Sequence, residues 1–269
     1  MLGVSMAEEK IREAKYLYCI IKCSQERNFN GVSAVGGHGS QIHTVVFKDL
    51  ACVVSDAPDM EYDSTRVNMM AHETVIERVM REFTVLPIRF GTVTTKDSGS
   101  PVEDIRHKLL ERHYDEFLSL HEDMSGRVEL GLKVLWHDEK AIYQEIVAEN
   151  RELRRLRDSI QGRSAEATHF DRVRLGEMVK KALDQKRDRE ARMLLTRFYP
   201  IADRVRENRI IIDRMVLNAA LLVNKDRERE CDEVVEGLDE ELGERMVFKY
   251  TGPNPPFNFC QITVKWEKE

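Results

Sequence analysis

The string Ala71-His72-Glu73-Thr74-Val75-Ile76-Glu77 opens like the His-Glu-x-x-His helix of zinc proteases. In that helix two imidazoles one turn apart share a metal, and the glutamate takes a proton from the bound water. Position 76 here is isoleucine, so a metal at His72 lacks its second imidazole. A partly buried structural histidine is the expected outcome. Gly36-Gly37-His38-Gly39 has the glycine content of a phosphate-cradling loop. Such loops run directly into a helix N-terminus, whereas this one runs into a strand-like stretch at Ile42, which predicts a surface loop. His107 and His113 fall on different faces of a predicted helix. Ser33, Ser55 and Ser98 lack the Gly-x-Ser-x-Gly surroundings of a nucleophile elbow. The five cysteines include no Cys-x-x-Cys pair, and Cys19, Cys52 and Cys260 lie in apolar runs, where cysteine acts as a small hydrophobe. Arg151, Arg154, Arg155 and Arg157 form a basic burst suited to RNA or an acidic partner, but Glu149, Glu152 and Asp158 interleave with it as on a solvated helix face. No catalytic residue, metal site or cofactor is expected.

The elements that must position these residues follow from periodicity. Residues 15–22, 42–47, 51–55 and 85–90 read as strands, being β-branched, aromatic and bounded by glycine or polar turns. Ser64 opens a helix whose apolar recurrences, Val67, Met70, Val75 and Val79 among them, read as core unless a stripe is left over for a partner. Ser100-Pro101-Val102-Glu103 combines a cap, a proline at the first helical position and a glutamate at the third. After a break near 122–126 come a strand at 127–136 and helical tracts at about 142–160, 170–186 and 189–207, with Pro200 dividing the last. A strand at 214–224, a charged helix at 226–242 and two terminal strands at 245–249 and 260–266 complete the order. This predicts an α+β chain of two domains, residues 1–124 and 125–269, each a mixed sheet with helices. The second can fold as a permuted relative of the ferredoxin-like split βαβ pattern.

The 269 residues carry 42 Lys and Arg against 48 Asp and Glu, a net charge of −6 that argues against broad nucleic-acid binding. No apolar run is long enough for a transmembrane helix, and the first fifteen residues lack the apolar core of a secretory signal. Reduced, cytosolic thiols are the simple reading. Between the terminal strands lies Tyr250-Thr251-Gly252-Pro253-Asn254-Pro255-Pro256-Phe257-Asn258-Phe259. Three prolines in four positions make a stiff link, longer than the two-residue turn of a common hairpin.

Four segments in order resemble those of the gas vesicle protein L/F family. Val85-Leu86-Pro87-Ile88-Arg89-Phe90-Gly91-Thr92 is similar to its "LPxRFGT" signature, and Val128-Glu129-Leu130-Gly131-Leu132-Lys133-Val134-Leu135-Trp136 to its "E-x-x-x-K-V-x-W" strand. Asn218-Ala219-Ala220-Leu221-Leu222-Val223 resembles "NAAFLV", and the proline link resembles the terminal "TGPWPPYxF", with Asn254 where the family usually has tryptophan and Phe257 where tyrosine is common. The stretch from Leu175-Gly176-Glu177 to Glu190 resembles the cyanobacterial-type F branch.

The resemblance implies an accessory or minor structural protein of gas vesicles, in the cytoplasm, with a C-terminal domain of modified ferredoxin-like fold. Its implied partners are the small, very hydrophobic main shell protein and other gas vesicle accessory proteins, with no catalysis, no nucleic acid and no lipid membrane. The expected partner-binding residues are Pro87, Arg89, Phe90, Pro253, Asn254, Pro255, Pro256, Phe257 and Phe259, with Arg89 either paired to an acid of the chain or gripping an acidic group of the shell protein. A small-ligand or RNA-binding α+β module is the alternative, although the exposed aromatic pair expected on a central RNA-binding strand is missing.

Overall fold

The computed structural model describes residues 14–94 and 100–266, so Ser98 lies outside the described residues. The chain forms two compact units, one of Met1–Arg127 with Asn254–Glu269 and one of Val128–Pro253. Both are α+β, as the sequence predicts. The stretch after Asn254, expected in the second domain, groups with the first unit because its backbone pairs there.

The first unit contains β1 (Ala14–Lys22), β2 (Asn28–Phe29), β3 (Ile42–Phe47), β4 (Leu50–Ala57), α1 (Arg66–Met80), β5 (Val85–Pro87), α2 (Pro101–Glu103) continued by a π-helix (Asp104–Glu111), and α3 (Tyr114–Met124). The sheet runs β2-β3-β4-β1-β5 with antiparallel pairing throughout. A β-bulge in β1 between Leu17 and Cys19 shifts the register. The extra residue breaks strict alternation, so Tyr16, Tyr18, Cys19 and Ile21 all join the core with Val75, Ile76 and Val79 of α1. Thr65 caps α1, one residue past the expected Ser64, its hydroxyl accepting from Asn68 N–H. Ser100 caps α2 as expected. The predicted strand at 85–90 is regular only to Pro87; Ile88 N–H still donates to Tyr18 O at 2.9 Å, and beyond it the chain leaves β1.

The second unit contains β6 (Arg127–Trp136), α4 (Glu139–Glu149), α5 (Arg151–Ile160), α6 (His169–Leu195), β7 (Arg204–Glu207), β8 (Met215–Asn224), α7 (Glu228–Leu242) and β9 (Met246–Asn254), with sheet order β7-β8-β6-β9. Alternate β6 residues from Val128 to Trp136 pack with Leu194 and Phe198, Leu221 of β8 and Leu238 of α7. Four expectations change. The tract at 142–160 is two helices, because Asn150 turns outward and caps α5 through Oδ1. The tracts at 170–186 and 189–207 are one helix, α6, which ends before Pro200. β7 is a strand where a helix was expected; its Arg-Val-Arg-Glu sequence suits a charged sheet edge. Residues 260–266 form no strand, only an isolated parallel bridge between Ile262 and Ile88.

An ion network ties this unit together. Lys186 of α6, buried, reaches Glu145 at 3.0 Å and Glu149 at 2.9 Å. Arg245 spans Glu145 at 2.8 Å and Glu190 at 2.9 Å, and Glu190 accepts from the Trp136 indole at 2.6 Å. The hydrogen bond from Arg245, with Lys186 beside it, holds the Glu145 carboxyl down at about 2.

Candidate functional site

The two segments singled out by sequence, 87–91 and 253–259, are brought to the β5 edge of the first sheet by the final residues of the chain. Ile262 N–H donates to Pro87 O at 2.8 Å, and Arg89 N–H donates to Ile262 O at 2.9 Å. Trp266 fastens the strap further along, its indole donating to Val93 O at 2.7 Å. Pro255 and Pro256 make the bend before it. Pro256 O accepts from Phe259 N–H and Cys260 N–H, a compact turn closed by backbone bonds. Upstream, Gly252 holds φ +147°, and a Cβ there would lie 2.6 Å from the Leu130 side chain, so both backbone and space require glycine.

The corner at 88–92 is held from inside by a hydrogen-bond chain. Gly91 N–H donates to the Tyr16 hydroxyl at 2.9 Å. The Tyr16 O–H lies 3.0 Å from His72 Nδ1, and His72 Nε2 lies 3.1 Å from Ile88 O. A carbonyl only accepts, which places the imidazole proton on Nε2 and makes Nδ1 the acceptor from Tyr16. His72 is stacked on Tyr18 and meets Phe90 edge-on at 5.6 Å. Burial pushes its pKa down to about 4, so it is neutral. Both ring nitrogens are engaged, which leaves neither for a metal or a substrate. Glu73 faces solvent on the other side of α1.

Pro87, Pro255 and Pro256 are buried, so these three of the expected contact residues shape the corner and offer no accessible surface. Arg89 and Pro253 are exposed, and Phe90, Asn254, Phe257 and Phe259 are half-buried. Phe90 and Phe257 pack one side against the core of the first unit. Among the described residues no acid pairs with Arg89, so of its two expected roles the pairing with an acid of the chain is not found.

The other candidates take structural places. Gly36, Gly37 and Gly39 adopt positive φ in a loop anchored where Val35 N–H donates to the Tyr18 hydroxyl. His107 pairs with Glu103 and Glu111, and His113 with Glu116. Burial raises the Cys19 and Cys52 thiols far above their ordinary value, so they stay protonated. Arg151, Arg154, Arg155 and Arg157 are exposed on α5. Sequence reasoning missed His121 of α3, which is buried and, like His72, held near 4 by burial. Its signal was weak: an isolated histidine one turn after Phe117, on the same helix face.

Residues 14–261 match the family model described as gas vesicle synthesis protein GvpL/GvpF. The chain is 27% identical over 223 residues to gas vesicle protein F of Dolichospermum flosaquae, covering 82% of this chain and 88% of that protein. It is 26% identical over 262 residues to gas vesicle protein F1 of Halobacterium salinarum, covering 96% and 97%. The crystal structure of GvpF from Anabaena sp. PCC7120 superposes with a TM-score of 0.78 at 25% identity, covering 94% of this chain and 100% of that one. None of these names states a catalytic activity. No helix among the described residues is long and apolar enough to cross a membrane.

Proposed function

The chain belongs to the gas vesicle GvpL/GvpF family, and from that premise we propose that it is an accessory or minor structural protein that binds the main hydrophobic shell protein during vesicle assembly. In this reading it works in the cytoplasm and at the vesicle, beside other gas vesicle accessory proteins, and makes or breaks no covalent bonds. The observation that carries the reading is the match along 14–261. The corner geometry supports it. The strap joins the two signature segments through Ile88 and Ile262, and what remains accessible there is a cation, Arg89, with the half-buried aromatics Phe90, Phe257 and Phe259. Aromatic anchors beside an arginine are the usual composition of an energetic contact centre. Burial of Pro87, Pro255 and Pro256 fits a rigid frame that presents those groups without ordering cost on binding.

The test is retention of purified main shell protein by the immobilised full chain, paired with a strain lacking the gene. Binding is expected, with vesicles lost or reduced in the strain and binding weakened by Arg89→Glu. No binding, together with normal vesicles in the strain, would sink the reading.

A further inference from the structure

We propose that the β5 edge is a strand-acceptor site: an extended segment of a partner, apolar at every second residue, displaces the strap at 260–266 and pairs with β5 in its place. The identity of that partner as the main shell protein rests on the function proposed above; the acceptor edge itself does not.

Alternation along β5 decides which backbone groups face the strap. Ile88 N–H donates to Tyr18 O at 2.9 Å, and Pro87 stands opposite Cys19. Bonded and outward residues alternate in an antiparallel pair, so Val85, Pro87 and Arg89 turn their backbone groups away from β1. The strap answers two of these groups, Pro87 O and Arg89 N–H, both through Ile262. A parallel ladder would continue at Val85 O with a donor two residues before Ile262. That donor is Cys260 N–H, and it closes on Pro256 O at 2.8 Å. At the other end Gly91 N–H is held by the Tyr16 hydroxyl. The bend that delivers the strap therefore limits it to a single bridge, and a segment without that bend extends the pairing to Val85.

The strap also shows what the edge accepts. Ile262, Val264 and Trp266 are half-buried, while Gln261, Thr263 and Lys265 between them are exposed. Beside it a groove of about 140 Å³ remains, lined by Leu109 of the π-helix and Phe117 of α3, so the strap fills its place incompletely. The charges on the helical wall of that groove are answered within the chain: Lys108 pairs with Asp104 at 3.1 Å and His113 with Glu116 at 2.8 Å. Lys265, the charge on the opposite wall, belongs to the strap and leaves with it. Selection thus falls to apolar alternation. Strand addition works in this way, with main-chain bonds supplying affinity and places for alternate side chains supplying specificity. A helix, whose backbone groups are bonded internally, has no edge to offer. Being tethered, the strap competes at a high effective concentration, so loosening it should strengthen binding of the partner.

The test uses the full chain labelled with 5-fluorotryptophan, in which Trp266 reports the strap and Trp136 serves as internal reference. It is titrated with a peptide alternating valine and threonine, with a peptide of the same composition whose valines stand in one block, and with unlabelled main shell protein. The alternating peptide should bind at least tenfold tighter than the block peptide. Both it and the shell protein should move the Trp266 fluorine resonance to its solvent position, as the indole leaves Val93 O, with Trp136 unmoved. Ile262→Pro, which releases Pro87 O, should tighten both at least fivefold. Val264→Ser, which trims the strap and leaves the edge intact, reads the same effect if the proline variant misfolds. Equal binding of the two peptides overturns the proposal. So does shell protein that binds without moving Trp266, which leaves the proposed function standing. A wild-type dimer dissolved by the alternating peptide assigns the edge to the strap of a second copy and also overturns it. Displacement by the alternating peptide, with no binding of shell protein, removes the proposed function and supports the acceptor edge.

Discussion

The two units solve the problem of buried polarity in opposite ways. In the first, the polar groups behind the 88–92 corner are neutral: Gly91 N–H, Tyr16, His72 and Ile88 O form one chain of hydrogen bonds. In the second, the cluster on α6 is charged: Lys186 and Arg245 are surrounded by Glu145, Glu149 and Glu190. A neutral chain avoids the desolvation cost of ions but fails when one member takes up a proton. An ion network withstands mild acid but fails when one partner is removed. The chain's two tryptophans report the units separately, Trp266 in the first and Trp136 in the second.

Acid should separate the units most. His72 and His121 titrate near 6.5 when unfolded and near 4 when folded, so between those values the unfolded state binds more protons. Their contribution is whole above pH 6.5 and is lost as the pH falls to about 4, each by up to about 3 kcal/mol. Glu145, lowered from 4.5 to about 2, supports the second unit fully above 4.5 and fails only as the pH falls towards 2. At pH 5, denaturant unfolding followed by Trp266 in a Trp136→Phe chain should shift markedly from its pH 7 midpoint. The same experiment on Trp136 in a Trp266→Phe chain should move little; equal shifts would break the contrast.

Lys186→Ala should reverse the asymmetry, leaving Glu145, Glu149 and Glu190 with Arg245 as the remaining cation of the cluster and costing the second unit about 2–3 kcal/mol, with the Trp266 transition unchanged. Ile262→Pro removes the N–H donated to Pro87 O and should cost the first unit about 1–2 kcal/mol, read by Trp266 and invisible to Trp136. Gly252→Ala should cost the second unit about 1–3 kcal/mol of backbone strain. A larger loss there would mean that Leu130 cannot move aside.

Much of this was legible in the residues. The α+β class, β6, β8 and the Ser100 cap follow from periodicity and local chemistry, and both segments that meet at the β5 edge were marked by proline and glycine. What escaped depends on partners far away in sequence. Nothing near Lys186 announces that Glu145 and Glu149 will reach it. The bulge in β1 puts Tyr18 and Cys19 on one face, which no alternation rule anticipates. The residues at 260–266 have strand composition but find a single bridge in place of a ladder. Val67 and Met70 carry the helical recurrence of core residues, and only the packed sheet shows that α1 had already filled its inner face without them.

The strap also has a consequence in time. Residues 14–94, with the β5 edge, leave the ribosome before the strap does, and what covers that edge is made more than a hundred residues later. At ~5–20 residues per second the gap is on the order of ten seconds. For that interval a nascent chain shows the backbone groups of Pro87 and Arg89 to whatever is near, and synthesis of the final segment closes the opening.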